Sequence, residues 1–110
     1  MPASMRTDPA QPVFRALADP TRRAIVSMLA NGPRAIGDIA VEFEMTRPAV
    51  AKHLAILKEG GVIAVETKGR ERINRLNPDA LKTAADWLNH FDRFWDDRLA
   101  KLKEVVEKTS

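Results

Sequence analysis

The chain has 110 residues, the size of one domain with a modest core. The absence of cysteine excludes disulfides and thiolate metal sites, and no apolar run approaches the roughly 20 residues of a membrane span, so a cytoplasmic location is expected. The net charge of +3 is spread unevenly: residues 1–45 are neutral and residues 77–110 carry −1, while residues 46–76 hold Arg47, Lys52, Lys58, Lys68, Arg70, Arg72 and Arg75 against Glu59, Glu66 and Glu71. Such a basic middle segment is either the footprint of a polyanion partner or a solvated charged face.

Residues 1–11, with Pro2, Ser4 and Pro9 and little apolar content, read as a flexible tail, and residues 12–110 as the folded domain. A short helix is expected from Pro12, with Val13, Phe14 and Leu17 on one side. It stops at Asp19-Pro20, where Asp19 is a good N-cap and Pro20 a good first residue for a second helix reaching about Ala30. Asn31-Gly32-Pro33 is a stop signal. A third helix, about Ile36 to Phe43, has the inward stripe Ile36, Ile39, Ala40 and Phe43 but a poor cap in Ala35.

Thr46 suits the N-cap of a fourth helix, and Pro48 is tolerated in its first turn. Val50, Leu54 and Leu57 recur on its inward side, which leaves Ala51, Lys52 and His53 on the other; Gly60-Gly61 ends it. Two short helices joined by so few residues have helix-turn-helix spacing, and a short helix with one small, polar and basic face is shaped to enter a major groove.

After Gly61 the period changes to two. Ile63, Val65 and Thr67 alternate with Ala64, Glu66 and Lys68; Gly69-Arg70-Glu71 turns, and Arg72 to Leu76 returns. This β-hairpin must pack on the helices to be stable, and its basic tip (Lys68, Arg70, Arg72) would lie beside the groove. Asn77-Pro78-Asp79 caps a last helix, expected over residues 79–108 without a break. In it Leu81, Ala84, Leu88, Phe91, Trp95, Leu99, Leu102 and Val106 form a heptad-like seam, widened by Trp87 and Phe94. One small core cannot cover that seam, so the same helix of a second chain is the expected cover, in a two-fold homodimer.

Two stretches then resemble a known family. Ala16-Leu17-Ala18-Asp19-Pro20-Thr21-Arg22-Arg23-Ala24-Ile25 is similar to the opening signature of ArsR-type winged helix-turn-helix repressors, and Arg47-Pro48-Ala49-Val50-Ala51-Lys52-His53-Leu54 to their recognition helix. Gly60-Gly61-Val62-Ile63 and Gly69-Arg70-Glu71-Arg72 resemble the helix end and the wing, and Trp87-Leu88 with Phe94-Trp95 a subgroup without the metal-thiolate motif. The likeness covers about residues 13–105. It implies an α+β, mostly helical winged helix-turn-helix with a two-stranded wing and a long C-terminal dimerisation helix, acting as a homodimeric repressor of an inverted-repeat operator. Carried over residue by residue, it places DNA contacts at Thr46, Arg47, Pro48, Lys52 and His53 and at Arg70 on the wing. Members often carry Ser where this chain has Ala51, whose methyl suits a thymine methyl instead. Many have Tyr in the second wing strand; here it reads Ile73-Asn74-Arg75.

The expected DNA-binding set is therefore Thr46, Arg47, Pro48, Ala51, Lys52, His53, Lys68, Arg70 and Arg72. The expected dimer interface is Val13, Phe14, Leu81, Leu88, Phe91, Trp95, Leu99 and Leu102. Arg47 is suited to a guanine edge and Lys52 to phosphate, while His53 stands between reading DNA and orienting the helix. Arg22 and Arg23 oppose the dipole of the helix they open, which calls for an anionic partner or a solvated face. His90 with Asp86 and Asp97 is a thin ligand set, so no metal or cofactor is expected; Asp92 and Asp96 read as solvated surface. Two alternatives share the fold: a metal- or ligand-gated sensor, and a protein-interaction module using the C-terminal helix. With two His, no Cys or Tyr and no Gly-rich phosphate loop, no enzyme is expected.

Overall fold

In the computed structural model, residues 8–109 are described. Among them are six α-helices and three strands, in the order α1 (Gln11–Leu17), α2 (Pro20–Leu29), β1 (Arg34–Ala35), α3 (Ile36–Phe43), α4 (Arg47–Glu59), β2 (Ile63–Lys68), β3 (Glu71–Leu76), α5 (Pro78–Asn89) and α6 (Asp92–Thr109). The expected mostly helical winged helix-turn-helix architecture is present. The stretch 1–7 of the expected tail lies outside the described residues; beyond it, Ala10 is buried and Gln11 already belongs to α1.

Local chemistry sets most boundaries. Asp19 accepts from the Arg22 N–H at 3.0 Å and Thr46 from the Ala49 N–H at 3.2 Å, so both caps act as their side chains suggest. Ala35 stands at the N-cap of α3 without a side-chain bond. The turn between α3 and α4 passes through Glu44 in the left-handed region at φ 52°, and the Met45 N–H closes it on the Ala40 carbonyl at 2.9 Å. Gly61, at φ 74°, turns the chain out of α4.

Gly60 has a different reason to be glycine. A Cβ there would stand 2.7 Å from the Pro12 carbonyl oxygen and 3.1 Å from Ala16 Cβ, so the end of α4 meets α1 backbone to backbone. Because a carbonyl of the main chain cannot swing aside, Gly60→Ala should cost about 1–3 kcal/mol in a urea titration. A neutral result would show that α1 shifts readily.

The core forms where the inward stripes of α1, α2, α3 and α4 meet Val62, Ile63 and Ala84; Ile25, Ile39, Val50, Leu57 and Val62 are fully buried. The expected hairpin is present as β2 and β3, and a third strand joins it: the order is β1-β3-β2, because Arg34 and Ala35 pair with Asn74 and Ile73. Asn74 is buried, and its Nδ2 donates to the Arg34 carbonyl at 3.2 Å, which fastens β1 to the hairpin. Asn77 stands at the N-cap of α5 as expected but does not cap it: its Nδ2 donates to the Gly61 carbonyl at 2.9 Å and its N–H to the Val62 carbonyl at 2.8 Å.

The C-terminal helix over residues 79–108 is likewise not continuous. It breaks at His90-Phe91, where the His90 and Phe91 N–H groups take tighter bonds to the Trp87 and Leu88 carbonyls. Asn89 and His90 are weak helix formers, His90 Nδ1 lies 3.1 Å from the Trp87 carbonyl, and the Trp87 and Phe91 rings pack at 5.1 Å. Beyond the break α6 stands away from the body. The radius of gyration is 18.5 Å, against about 13 Å for a compact chain of this length.

Candidate nucleic-acid interface

Helix α4 and the wing together form one basic surface. Arg47, Pro48, Ala51 and Lys52 are exposed on the outer side of α4, and Thr46 is exposed at its cap. Lys68, Arg70 and Arg72 are exposed around the hairpin tip, where Gly69 at φ 61° makes the turn and Lys68 pairs with Glu71. Among the described residues, none of Arg47, Lys52, Lys68, Arg70 and Arg72 has an ion-pair partner. Arg75, in contrast, is neutralised by Glu66 at 3.1 Å. A groove of about 270 Å³ separates α4 from the wing, with Ala51, Ala55 and Lys58 on one wall and Val65, Arg72 and Asn74 on the other. Lys58, absent from the expected set, thus faces the same groove as Arg72.

Two features of the site could not be seen from spacing. The first is the seat of Arg47. A Cβ on Gly37 would stand 2.8 Å from Arg47 Nη2, so the glycine in α3 leaves room for this guanidinium. The obstructing atom is the end of a flexible side chain. Gly37→Ala should therefore raise stability by about 0.5–1 kcal/mol, as alanine does in a helix interior, while displacing Arg47 and weakening DNA binding. Unchanged affinity would show that Arg47 does not need this seat.

The second feature is a junction beneath α4. The Arg22 guanidinium donates to the carbonyls of Ala16 at 2.7 Å and Arg15 at 3.1 Å, and Arg23 donates to that of Leu17 at 2.7 Å. The two arginines thus turn back onto the C-terminal carbonyls of α1, which explains their place at the start of α2. Arg22 Nη1 also lies 3.4 Å from His53 Nδ1, and Asp19 Oδ2 lies 3.9 Å from the same nitrogen. A guanidinium only donates, so Nδ1 accepts from Arg22 when the ring is neutral, and Nδ1–H faces the Asp19 carboxylate when the ring is charged. Asp19 is held below its ordinary carboxylate value, chiefly by the Arg22 N–H bonded to it, with the Arg22 and His53 charges adding to that and partial desolvation opposing it. Its charged form is therefore the cap at neutral pH, and the cap is lost only as acid protonates it.

Comparison with known proteins agrees with this geometry. The profile of bacterial regulatory proteins of the arsR family matches residues 19–65, which run from the Asp19 cap into β2. The HTH-type transcriptional regulator Rv2034 of Mycobacterium tuberculosis is 38% identical over 94 residues, which span 86% of this chain and 85% of its own. The transcriptional repressor SdpR of Bacillus subtilis is 38% identical over 87 residues, spanning 79% of this chain and 97% of its own. This chain belongs to the ArsR family. It is a transcriptional regulator built on a winged helix-turn-helix DNA-binding domain. A solved structure from Mycobacterium bovis, described as the homodimeric winged helix-turn-helix DNA-binding domain of a possible ArsR-family regulator, has a TM-score of 0.67 to it. That chain is 27% identical, over 79% of this chain and 82% of its own.

The ArsR fold also sorts the expected interface residues. Leu88, Phe91, Trp95, Leu99 and Leu102 are exposed. Phe14 and Leu81 are half-buried, and Phe14 meets Trp87 edge to face at 5.5 Å. Val13 is a correction: at 3% exposure it belongs to the protomer's own core, because it shares the inward side of α1 with Ala16. Among the described residues no three His, Asp or Glu side chains are grouped as a metal site, and no helix is long and apolar enough to cross a membrane.

Proposed function

We propose that two copies of this regulator form a homodimer, bind an inverted-repeat operator in the cytoplasm and repress transcription by blocking polymerase. The observation that carries this reading is the joined basic surface of α4 and the wing, whose five cations lack ion-pair partners among the described residues. Thr46, Arg47, Pro48, Ala51 and Lys52 would enter the major groove, with Arg47 on a base edge, Ala51 on a thymine methyl and Lys52 on phosphate. His53, its Nδ1 turned to Arg22 and Asp19, serves chiefly to orient α4. Lys68, Arg70 and Arg72 would meet phosphates beside the groove. Phe14, Leu81, Leu88, Phe91, Trp95, Leu99 and Leu102 would face the second copy. The repressor named among the relatives and the homodimeric structure from Mycobacterium bovis support the same reading.

Selection of bound sequences from random DNA with the purified protein tests it. The expected product is an inverted repeat with fixed spacing; only bulk binding without a motif would overturn the proposal. Affinity for that operator should fall with a linear log–log salt dependence. A dimer covering about 6–10 phosphates would lose roughly a thousandfold or more between about 50 and 200 mM salt. A flat salt response would show that the cations do not touch phosphate.

A further inference from the structure

The groove between α4 and the wing is shaped for more than a phosphate backbone. Its walls are largely apolar: Ala51, Leu54 and Ala55 of α4 face Val65 of β2, with Ile36 of α3 beside them. Ala51 and Ala55, one helical turn apart, are too short to reach the hairpin, which leaves about 270 Å³ between the two elements. Two cations stand on opposite walls, Lys58 on α4 and Arg72 on β3. Neither has an ion-pair partner among the described residues. The nearby carboxylates are turned elsewhere. Glu59 lies 3.6 Å from Arg15. In the hairpin register Val65 pairs with Asn74 and Thr67 with Arg72, so these four share one face of the wing. Glu66 and Glu71 alternate onto the other face, where Glu66 binds Arg75 at 3.1 Å. Among the described residues, the groove lining therefore carries two positive charges and no Asp or Glu.

We infer that this groove binds a small amphipathic carboxylate and that the bound acid releases DNA. The inference rests on the DNA reading proposed above and assigns a regulator to that surface. A sugar-phosphate backbone can use the two cations but not the apolar walls. An acid with a hydrocarbon body uses both: its chain covers Leu54, Ala55 and Val65, and its carboxylate accepts from Lys58 or Arg72. The volume lies just under the roughly 300–1,000 Å³ of drug-sized sites, which limits the body to a short chain or a single ring system. Ala51 and Arg72 belong to both surfaces. The acid covers the Ala51 methyl and neutralises Arg72, so acid and DNA oppose each other, and by linkage each weakens the other by the same factor.

Octanoate, kept below its micelle-forming concentration, is the probe. Octanol and acetate are the controls, each lacking one half of its chemistry. In amide NMR spectra of the full-length protein, octanoate should shift Ala51, Ala55 and Val65 saturably, and neither control should do so at the same concentration. Shifts confined to the exposed aromatic residues Trp87, Phe91 and Phe94 would overturn the site. Equal shifts from octanol would overturn the part given to the cations. At saturating octanoate, affinity for the selected operator should fall about 5- to 150-fold, the usual range of coupling between two sites; unchanged affinity would overturn the release. Ala55→Phe fills the groove and should abolish the octanoate shifts at Ala51 and Val65. Lys58→Met should weaken octanoate about tenfold, as loss of a charged hydrogen bond does, and Lys58→Arg should keep it. Full octanoate binding in both Ala55→Phe and Lys58→Met would place the acid elsewhere and overturn the inference. Because the NMR titration contains no DNA, its result is independent of the selection experiment. If selection yields no operator, the DNA reading and the release fail together while the acid site stands.

Discussion

Leu57→Ala should lower the unfolding free energy by about 2–5 kcal/mol, the range for truncating a buried leucine whose neighbours only partly close the void. Leu57 is fully buried on the inner side of α4, in the same cluster as Ile25, Ile39 and Val62. The loss is large against the roughly 5–15 kcal/mol that stabilises a typical domain, and each kcal/mol should lower the melting temperature by about 4–8 °C at this size. Urea unfolding checks the free energy, and the denaturant slope should stay constant if only the native packing changes. A loss below about 1 kcal/mol would mean that α4 is not seated by this side chain. The consequence reaches function because the helix that carries Leu57 inward carries Arg47, Ala51 and Lys52 outward.

Arg47→Ala should weaken binding to the selected operator by about 1–3 kcal/mol, or roughly 5- to 150-fold, and relax one base position in each half-site. Arg47 begins α4, is exposed, lacks an ion-pair partner among the described residues and lies over Gly37 in α3. A planar fork held at the start of a helix is suited to the two acceptors of a guanine edge, whereas alanine leaves them without a partner in the interface. Arg70 provides the contrast. At the tip of the wing, next to Gly69, Arg70→Ala should weaken every sequence alike and flatten the salt slope, as loss of a phosphate contact does. Competition between operator and random DNA separates the two. Equal loss on both for Arg47→Ala would assign it to phosphate, and a changed base preference for Arg70→Ala would show that the wing reads sequence.

The sequence by itself determined what depends on neighbours a few residues away. Asp19 and Thr46 cap because a carboxylate or hydroxyl accepts from an N–H three residues on. The stripes of α2, α3 and α4 follow from helical spacing, the hairpin from period two around Gly69, and the basic surface from the placing of seven cations between residues 46 and 76. Tertiary structure decided what depends on residues far apart in the chain. The two residues of β1 have no local signal, and they are a strand only because β3 lies beside them, with Asn74 reaching across 40 positions to Arg34. His53 takes its orientation from Arg22, 31 positions away, and Asn77 leaves its cap to bind the Gly61 carbonyl. Val13 and Phe14 look alike in a seven-residue helix, and packing alone sends the first into the core and the second against Trp87. The seam of the last helix continues in spacing through His90-Phe91, but the backbone does not. Weak helix formers and the tightened turn at His90-Phe91 break it there, and so leave α6 projecting from the body.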